Sequence, residues 1–171
     1  FRGGRVDAVI VPNTRVQDAR VDYLLEKGYP FVGYGRTAEC SHYSWLDFDN
    51  DLGSRLAVEH LLALGHTRIA YVHAPLELNF AFQRHRGFLT ALAAAGLHCP
   101  PHYCIGGVND RRSGLRAVAS LLALEPRPTA VLVDNNLGGV GLIRGLLDAG
   151  LRVGHDVSVV VHGDIPQDTL L

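Results

Sequence analysis

The chain has 171 residues, of which 47% are hydrophobic and 19% charged, and its 16 basic side chains nearly balance 17 acidic ones. This length and composition exclude a disordered chain and predict one ordinary domain or two small lobes with a buried core. The near-neutral charge argues against general binding to nucleic acid, and no apolar run approaches the ~20 residues of a membrane span, so no membrane partner is expected.

Short apolar runs alternate with segments of helical periodicity along the chain. The apolar runs predict strands at residues 6–11, 29–34, 45–48, 68–72, 103–105, 129–133 and 157–161. Helices are predicted between them at residues 19–27, 51–64, 82–95, 113–124 and 137–149. A glycine follows four of these helices and is a natural stop signal for each of them.

The order of the predicted elements indicates the fold class. The strands are continuous apolar runs, which is typical of parallel strands covered on both faces. Alternation of such strands with helices predicts an α/β protein with right-handed crossovers. In these sheets ligands bind beyond the carboxyl ends of the strands, so the residues that directly follow each strand are the ones to inspect.

Motifs of common enzyme sites fail on inspection. Gly139 and Gly141 begin a dinucleotide fingerprint, but Arg144 stands where the third glycine is required. The run Asp47–Asp51 resembles the start of a calcium loop, yet Leu52 occupies the turn-glycine position. We therefore expect no cofactor, no metal and no enzymatic activity, and we expect the glycines near residue 139 to serve helix packing.

The first residues of the chain and its cysteines are two further features of the sequence. It begins Phe1-Arg2-Gly3 and contains no methionine, so upstream sequence is expected to be missing. The cysteines Cys40 and Cys99, with a third at position 104, are odd in number and lack metal-ligand spacing. They are predicted to be the reduced thiols of a cytoplasmic protein.

Several segments together form a pattern known from one family. The first two motifs, VDGIIL and GIPVV, are matched by Val6–Val11 and Gly28–Val32. The motif D-N…A-x-x-H-L-x-x-L-G-H-x-x-I-A is matched by Asp49-Asn50 and Ala57–Ala70, and the motif R-x-x-G-F-x-x-A-L is matched by Arg84–Leu92. The late motif of the pattern is matched by Pro128–Val131 and Gly150–Val160. In order and spacing this pattern resembles the LacI/GalR family of transcription regulators, from about Val6 to Asp164.

The resemblance implies a two-lobe, periplasmic-binding-protein-like fold with parallel sheets, helices on both faces, and truncation at both ends. Residues 1–48 would be part of the N-terminal effector-binding lobe, and residues 49–171 would form the C-terminal lobe. The helix-turn-helix DNA-binding domain of the family is absent from this chain.

The resemblance also implies ligand-binding residues. Arg84 aligns with the family arginine that grips effector hydroxyls or a carboxylate, and a planar guanidinium suits vicinal hydroxyls. Asn135 aligns with a family asparagine whose amide can both donate and accept. Phe48 matches an apolar position at the lobe crossing, where a ring can cover a pyranose. The alternatives are a solvated side chain for Arg84, a helix N-cap for Asn135 and an ordinary core residue for Phe48.

Three weaker assignments and one departure complete this set. Arg36 ends a segment similar to P-F-V-x-x-G-R and would lie at the cleft mouth, or in a surface loop. Asn13 and Thr14, after the first strand, are weaker ligand candidates. Gly163 stands where the family has an effector-contacting aspartate, so either Asp164 substitutes for that residue or the acidic contact is missing.

The function that follows is the sensing domain of a cytoplasmic transcriptional repressor. A small sugar-like effector would bind in the cleft and modulate operator binding by a separate N-terminal domain, in a homodimer. The alternatives are a periplasmic-type sugar-binding protein of a transport system, and an α/β enzyme whose site the motifs do not reveal.

Overall fold

The structure is a computed structural model that describes residues 6–164. Its strands are β1 Val9–Pro12, β2 Phe31–Tyr34, β3 Ser44–Leu46, β4 Ile69–Val72, β5 Cys104–Ile105, β6 Ala130–Val133 and β7 Ser158–Val161. Its helices are α1 Ala19–Lys27, α2 Asn50–Ala63, α3 Asn79–Ala94, α4 Arg111–Leu122 and α5 Asn136–Asp148. Every predicted strand and helix is present, although α3 begins three residues earlier than the periodicity predicts.

The strands form two separate parallel sheets, which confirms the predicted α/β class and the two-lobe fold. The small sheet has the order β1-β2-β3, and the large sheet has the order β5-β4-β6-β7. After β3 the chain passes directly into α2, whose N-cap Asp49 accepts a hydrogen bond from the Leu52 amide. Asp49 is thus the N-cap residue of α2.

The large sheet is covered on both faces, because successive strand residues point to opposite sides. Tyr71 of β4 packs with Phe88 of α3 and with residues of α2 in one cluster. Val72, the next residue, packs with Leu142 of α5 and with residues of α4 in another. Every residue of β4 and β6 is buried, which explains why these strands read as unbroken apolar runs.

The small sheet is covered differently. Val11 of β1 packs with Val21 and Leu24 of α1. On the opposite face Ile10 is 72% exposed, and its register partner Val32 is exposed as well. Among the described residues, helices on both faces are therefore a property of the large sheet, while the small sheet carries one helix on one face.

The packed face of α2 differs from the predicted stripe. The apolar pattern predicts that Leu56 and Leu64 face the core together with Ala57 and Leu61, but both leucines are exposed. Val58 and Leu61 are the apolar residues of α2 that are buried. The helix is rotated so that positions three and four residues apart around Val58 meet the sheet, and hydrophobicity alone does not fix that rotation.

Glycines allow the helices on each face of the large sheet to approach closely. A Cβ built on Gly141 of α5 would lie 1.9 Å from the carbonyl oxygen of Arg111 in α4. A Cβ on Gly87 of α3 would lie 2.3 Å from the carbonyl oxygen of Asp51 in α2. The prediction that the glycines near residue 139 serve helix packing is confirmed.

Candidate functional site

A cavity of about 680 Å³ lies between the two sheets, beyond the carboxyl ends of their strands. The small sheet contributes residues that follow its strands, namely Asn13, Gly35 and Phe48, and the large sheet contributes Ala74, Asn109, Asn135 and His162. This is the position at which α/β sheets bind ligands. The cavity lining is mixed, with several amide side chains beside aromatic and aliphatic ones.

Arg84 of α3 reaches the cavity with its guanidinium already oriented by the protein. Its Nε donates to Asn50 Oδ1 at 2.8 Å, its Nη1 donates to the carbonyl oxygen of Asp134, and its Cζ lies 4.8 Å from the centroid of the Phe80 ring. Two of five N–H donors are thereby used. The other three have no protein acceptor among the described residues, so a ligand can take them.

Asn50 explains why Arg84 is held in this direction. Asn50 is the first residue of α2 and is 1% exposed. Its Nδ2 donates to Asp47 Oδ1 and to the Phe48 carbonyl, which leaves Oδ1 to accept from Arg84. Asn50, which lies next to the predicted boundary between the lobes, therefore also positions the arginine of the cavity.

Asp134 is a buried residue that contacts Arg84, Asn135 and Ala74 of the cavity lining. Burial raises the pKa of its carboxyl, and hydrogen bonds from Asn135 and the Ala74 amide oppose that rise. Both carboxyl oxygens accept from the Ala74 N–H, at 2.9 and 3.0 Å, and Oδ1 also accepts from Asn135 Nδ2 at 2.8 Å. Burial lowers the pKa of Arg84, while the negative charge of Asp134 works against that change.

Asn135 lines the cavity but is also the N-cap of α5. Its Oδ1 accepts from the Gly138 amide at 2.8 Å, and its Nδ2 donates to the Val108 carbonyl and to Asp134. The alternative role of Asn135 as a helix N-cap is therefore confirmed. Both amide hydrogens are used within the protein, so what Asn135 can offer a ligand is the second lone pair of its oxygen.

Phe48 is an exposed ring at the cavity wall. It is 64% exposed, which excludes the alternative of a core phenylalanine. Tyr34, which also lines the cavity, meets it edge to face with ring centroids 6.3 Å apart and an interplanar angle of 81°. Two neighbouring aromatic rings thus form an apolar part of the cavity wall.

Arg36 does not line the cavity. Its Nη2 donates to Gln83 Oε1 at 2.7 Å, and its Nε lies 3.4 Å from Asp47 Oδ2. Its carbonyl oxygen accepts from Thr14 Oγ1 and Asn79 Nδ2. These contacts tie the small sheet to α3 beside the cavity, so the side chain is engaged in joining the lobes, and its role as a ligand contact stays a prediction.

The remaining predicted residues divide between the cavity and the surface. Asn13 and Thr14 line the cavity, and Asn13 adopts a positive φ of 48°, which asparagine tolerates. Thr14 is buried, and its hydroxyl is bonded to Arg36. Asp164 is exposed and does not line the cavity, although its carbonyl oxygen accepts from Asn136 Nδ2. The neighbouring Gly163 does line it.

His162 lines the cavity, whereas the sequence predicts Asp164, two residues later, as the ligand contact. It directly follows β7, and its ring lies against α2, where a Cβ on Gly53 would be 2.9 Å from Cε1. Burial, with a smaller contribution from the positive charge of Arg84, lowers the pKa of His162 to about 4. The imidazole is therefore neutral at pH 7 and can both donate and accept.

This lowered pKa predicts how the stability of the protein depends on pH. Since the folded pKa of about 4 lies below the ordinary 6.5, His162 stabilises the folded state above pH 6.5. That stabilisation is lost as the pH falls toward 4. Wild type should therefore lose about 1–2 kcal/mol more unfolding free energy than His162→Gln between pH 7 and pH 4.5, since partial solvent access weakens the full effect. Urea denaturation at both pH values measures this difference, and equal losses would contradict it.

Known proteins share this architecture. The profile of the periplasmic binding protein-like domain matches residues 58–170. The HTH-type transcriptional regulator RafR of Escherichia coli is 36% identical over 168 residues, which cover 98% of this chain and 49% of RafR. The HTH-type transcriptional regulator AglR of Rhizobium meliloti is 33% identical over 95% of this chain and 46% of AglR. The chain thus spans about half the length of the curated relatives it matches.

Solved structures of transcriptional regulators superpose on this chain. A regulatory protein of the LacI family from Chloroflexus aggregans superposes with a TM-score of 0.85 at 32% identity, over 96% of this chain and 59% of that one. The complex of the transcriptional regulator CelR with cellobiose superposes with a TM-score of 0.84 at 33% identity, over 93% of this chain and 49% of CelR.

Residues 6–164 contain neither a candidate membrane span nor a candidate metal site. No helix in this range combines the length and the apolar character needed to cross a bilayer. Nor does this range contain three or more His, Cys, Asp or Glu side chains grouped so that they could hold a metal ion.

Proposed function

The chain belongs to the LacI/GalR family of transcriptional regulators and carries its periplasmic binding protein-like domain, and on this basis we propose that the cleft binds a small neutral sugar as effector. The observation that carries the proposal is the oriented guanidinium of Arg84, with three donors unused, facing a cavity that also holds an exposed aromatic wall.

The chemistry of the lining suits a sugar. A guanidinium presents coplanar donors that match two adjacent hydroxyls. The rings of Phe48 and Tyr34 can cover the apolar face of a pyranose, while Asn109, Asn135 and His162 supply further polar atoms. The solved complex of CelR with cellobiose supports this choice of ligand class.

The mechanism of regulation follows from the two lobes. A ligand that contacts both lobes binds one of their relative arrangements better and so increases its population. We assign residues 1–48 and 49–171 to the two lobes; the ends of these ranges, 1–5 and 165–171, lie outside the described residues. In the whole protein, a separate helix-turn-helix domain would contact operator DNA, as the names of the HTH-type relatives suggest. We expect this whole protein to be a cytoplasmic homodimer, because paired DNA-binding domains match the two-fold symmetry of an operator.

The other functions have less support. A sugar-binding protein of a transport system would share the fold, but the relatives are transcriptional regulators. The same relatives are not enzymes, and the cavity residues described above include no nucleophile beside a general base.

A melting-temperature screen tests the proposal. The protein is heated with neutral mono- and disaccharides, among them cellobiose, and with sugar phosphates and purines as other ligand classes. A neutral sugar is expected to raise the Tm by several degrees at a concentration of ~100 Kd, because ligand binding stabilises the folded state by about 2.7 kcal/mol there. A shift with sugar phosphates or purines alone would overturn the choice of a neutral sugar.

Phe48 provides a second test of the same cleft. Phe48→Ala is expected to weaken the binding of the sugar selected in the screen about 10-fold, because the ring loses its contact with the apolar face of the sugar. Tyr23→Ala is the matched control, since Tyr23 is an exposed aromatic residue of α1 outside the cavity. Isothermal titration measures both affinities, and an equal effect of the two substitutions would remove Phe48 from the ligand contacts.

A further inference from the structure

We propose that Cys99 and Cys104 form a reversible dithiol–disulfide pair that exchanges with small-molecule disulfides of the glutathione class. Their Sγ atoms lie 3.5 Å apart, at the far edge of the large sheet rather than in the cavity. The pair is independent of the effector proposal, because neither cysteine lines the cavity.

The local fold holds the two thiols near each other. Cys99 follows α3, Cys104 begins β5, and a 3-10 turn from Pro101 to Tyr103 lies between them. Tyr103 is 3% exposed and its hydroxyl donates to the Pro126 carbonyl, so the turn is anchored in the core. A disulfide has an S–S distance of about 2.05 Å, so the sulfurs need to approach by only about 1.5 Å.

The surroundings of the pair distinguish the two sulfurs. A hydrogen bond from the Cys99 thiol and the nearby ring of His85, whose Nε2 lies 4.0 Å from Cys104 Sγ, lower the pKa of Cys104 to about 5. The same hydrogen bond, with burial, raises the pKa of Cys99. Cys104 is therefore the thiolate that attacks first, and Cys99 is the thiol that resolves the mixed disulfide.

The reaction proceeds by two exchanges. The Cys104 thiolate attacks one sulfur of the small disulfide, forms a mixed disulfide and releases one small thiolate. Cys99 then loses its proton to solvent and attacks the Cys104 sulfur, which forms the Cys99–Cys104 bond and releases the second small thiolate. Two electrons pass from the protein to the small disulfide, which is reduced to two thiols, and an excess of small thiol reverses both steps.

The alternative is that both thiols simply pack as small apolar side chains. Both contact core clusters and both are only partly buried, so burial alone does not decide. The third cysteine, Cys40, gives an internal reference: it is partly buried as well but is not within contact distance of another sulfur among the described residues.

Thiol labelling after incubation with oxidised glutathione tests the pair. The folded protein is expected to lose two of its three maleimide-reactive thiols and about 2 Da of intact mass, and dithiothreitol should restore both. Cys40→Ser should still form the disulfide. Three labelled thiols after oxidation, or a disulfide that includes Cys40, would overturn the proposal.

Two single variants test the assigned order of attack. Cys99→Ser is expected to stop at a stable glutathione adduct on Cys104, because the resolving thiol is missing. Cys104→Ser should acquire an adduct on Cys99 more slowly at pH 7, because the ring of His85 lies beside the sulfur of Cys104 and because burial raises the pKa of Cys99 even without its partner. Equal rates in the two variants would contradict the proposal. Circular dichroism of each variant verifies that the fold is retained.

Discussion

Arg84→Met is expected to abolish the rise in melting temperature that the selected sugar causes in wild type, while the protein without ligand stays folded. The methionine keeps an unbranched apolar stem next to the Phe80 ring but removes every donor directed at the cavity. Hydrogen bonds from a charged donor contribute about 1.5–3 kcal/mol each. The loss of two such bonds to adjacent hydroxyls would weaken binding by about 100-fold or more.

The cost to the folded protein should be smaller than the cost to binding. Arg84→Met leaves Asn50 Oδ1 and the Asp134 carbonyl without their donor. It also removes a charge whose burial is unfavourable, as the lowered pKa of Arg84 shows. These two effects oppose each other, so a change of unfolding free energy within about 2 kcal/mol is expected.

Arg86→Met is the matched control for this experiment. Arg86 lies on the same helix two residues later, and its Nε pairs with Asp51 Oδ2 at 2.8 Å on the exposed side of α3. It does not line the cavity, so the sugar-induced shift should be retained. Scanning fluorimetry with and without sugar compares the three proteins. A full shift in Arg84→Met would place the ligand elsewhere and contradict the central role of the guanidinium.

The sequence predicts a cavity residue when its position follows from a local pattern, and it fails when the role depends on residues of other elements. Arg84 follows from the resemblance to the LacI/GalR family, Asn135 follows from the same resemblance and from its place after a strand, and the structure brings both to the cavity. Both strand-end positions and helix spacing are local signals, which the chain order preserves. Arg36 shows the limit, because its partners Gln83 and Asp47 lie in other elements, and only the packing of the lobes reveals that they engage the side chain.

The pKa of His162 and the rotation of α2 are two further properties that depend on contacts between elements. The position of His162 after β7 is visible in the sequence, but its lowered pKa depends on burial and on the charge of Arg84, neither of which is local. In α2, hydrophobicity favours Leu56 and Leu64 as core residues, yet the rotation of the helix exposes them and buries Ser54 and Val58. Contacts between elements decide such details, and a pattern along one element does not contain them.

Gly141→Ala is expected to destabilise the protein strongly. The new Cβ would lie 1.9 Å from the Arg111 carbonyl oxygen and 2.7 Å from its carbonyl carbon, both in the backbone of α4. A backbone atom cannot swing away as a side chain can, so α4 and α5 must separate and lose contact along their length. Overpacking of this kind costs about 1–3 kcal/mol or more, against a gain of about 1 kcal/mol from the higher helix propensity of alanine.

Gly145→Ala, one turn further along α5, separates the clash from the change in helix propensity. Its Cβ would meet mainly side-chain atoms, Val118 Cγ2 at 2.8 Å and Leu115 Cδ1 at 3.0 Å, and Leu115 is exposed and can move. Both variants gain the same propensity, so Gly141→Ala should be the less stable by about 2 kcal/mol, or roughly 4–8 °C in Tm. Urea and thermal denaturation measure the difference. Equal stabilities would mean that α4 and α5 are not in backbone contact at Gly141.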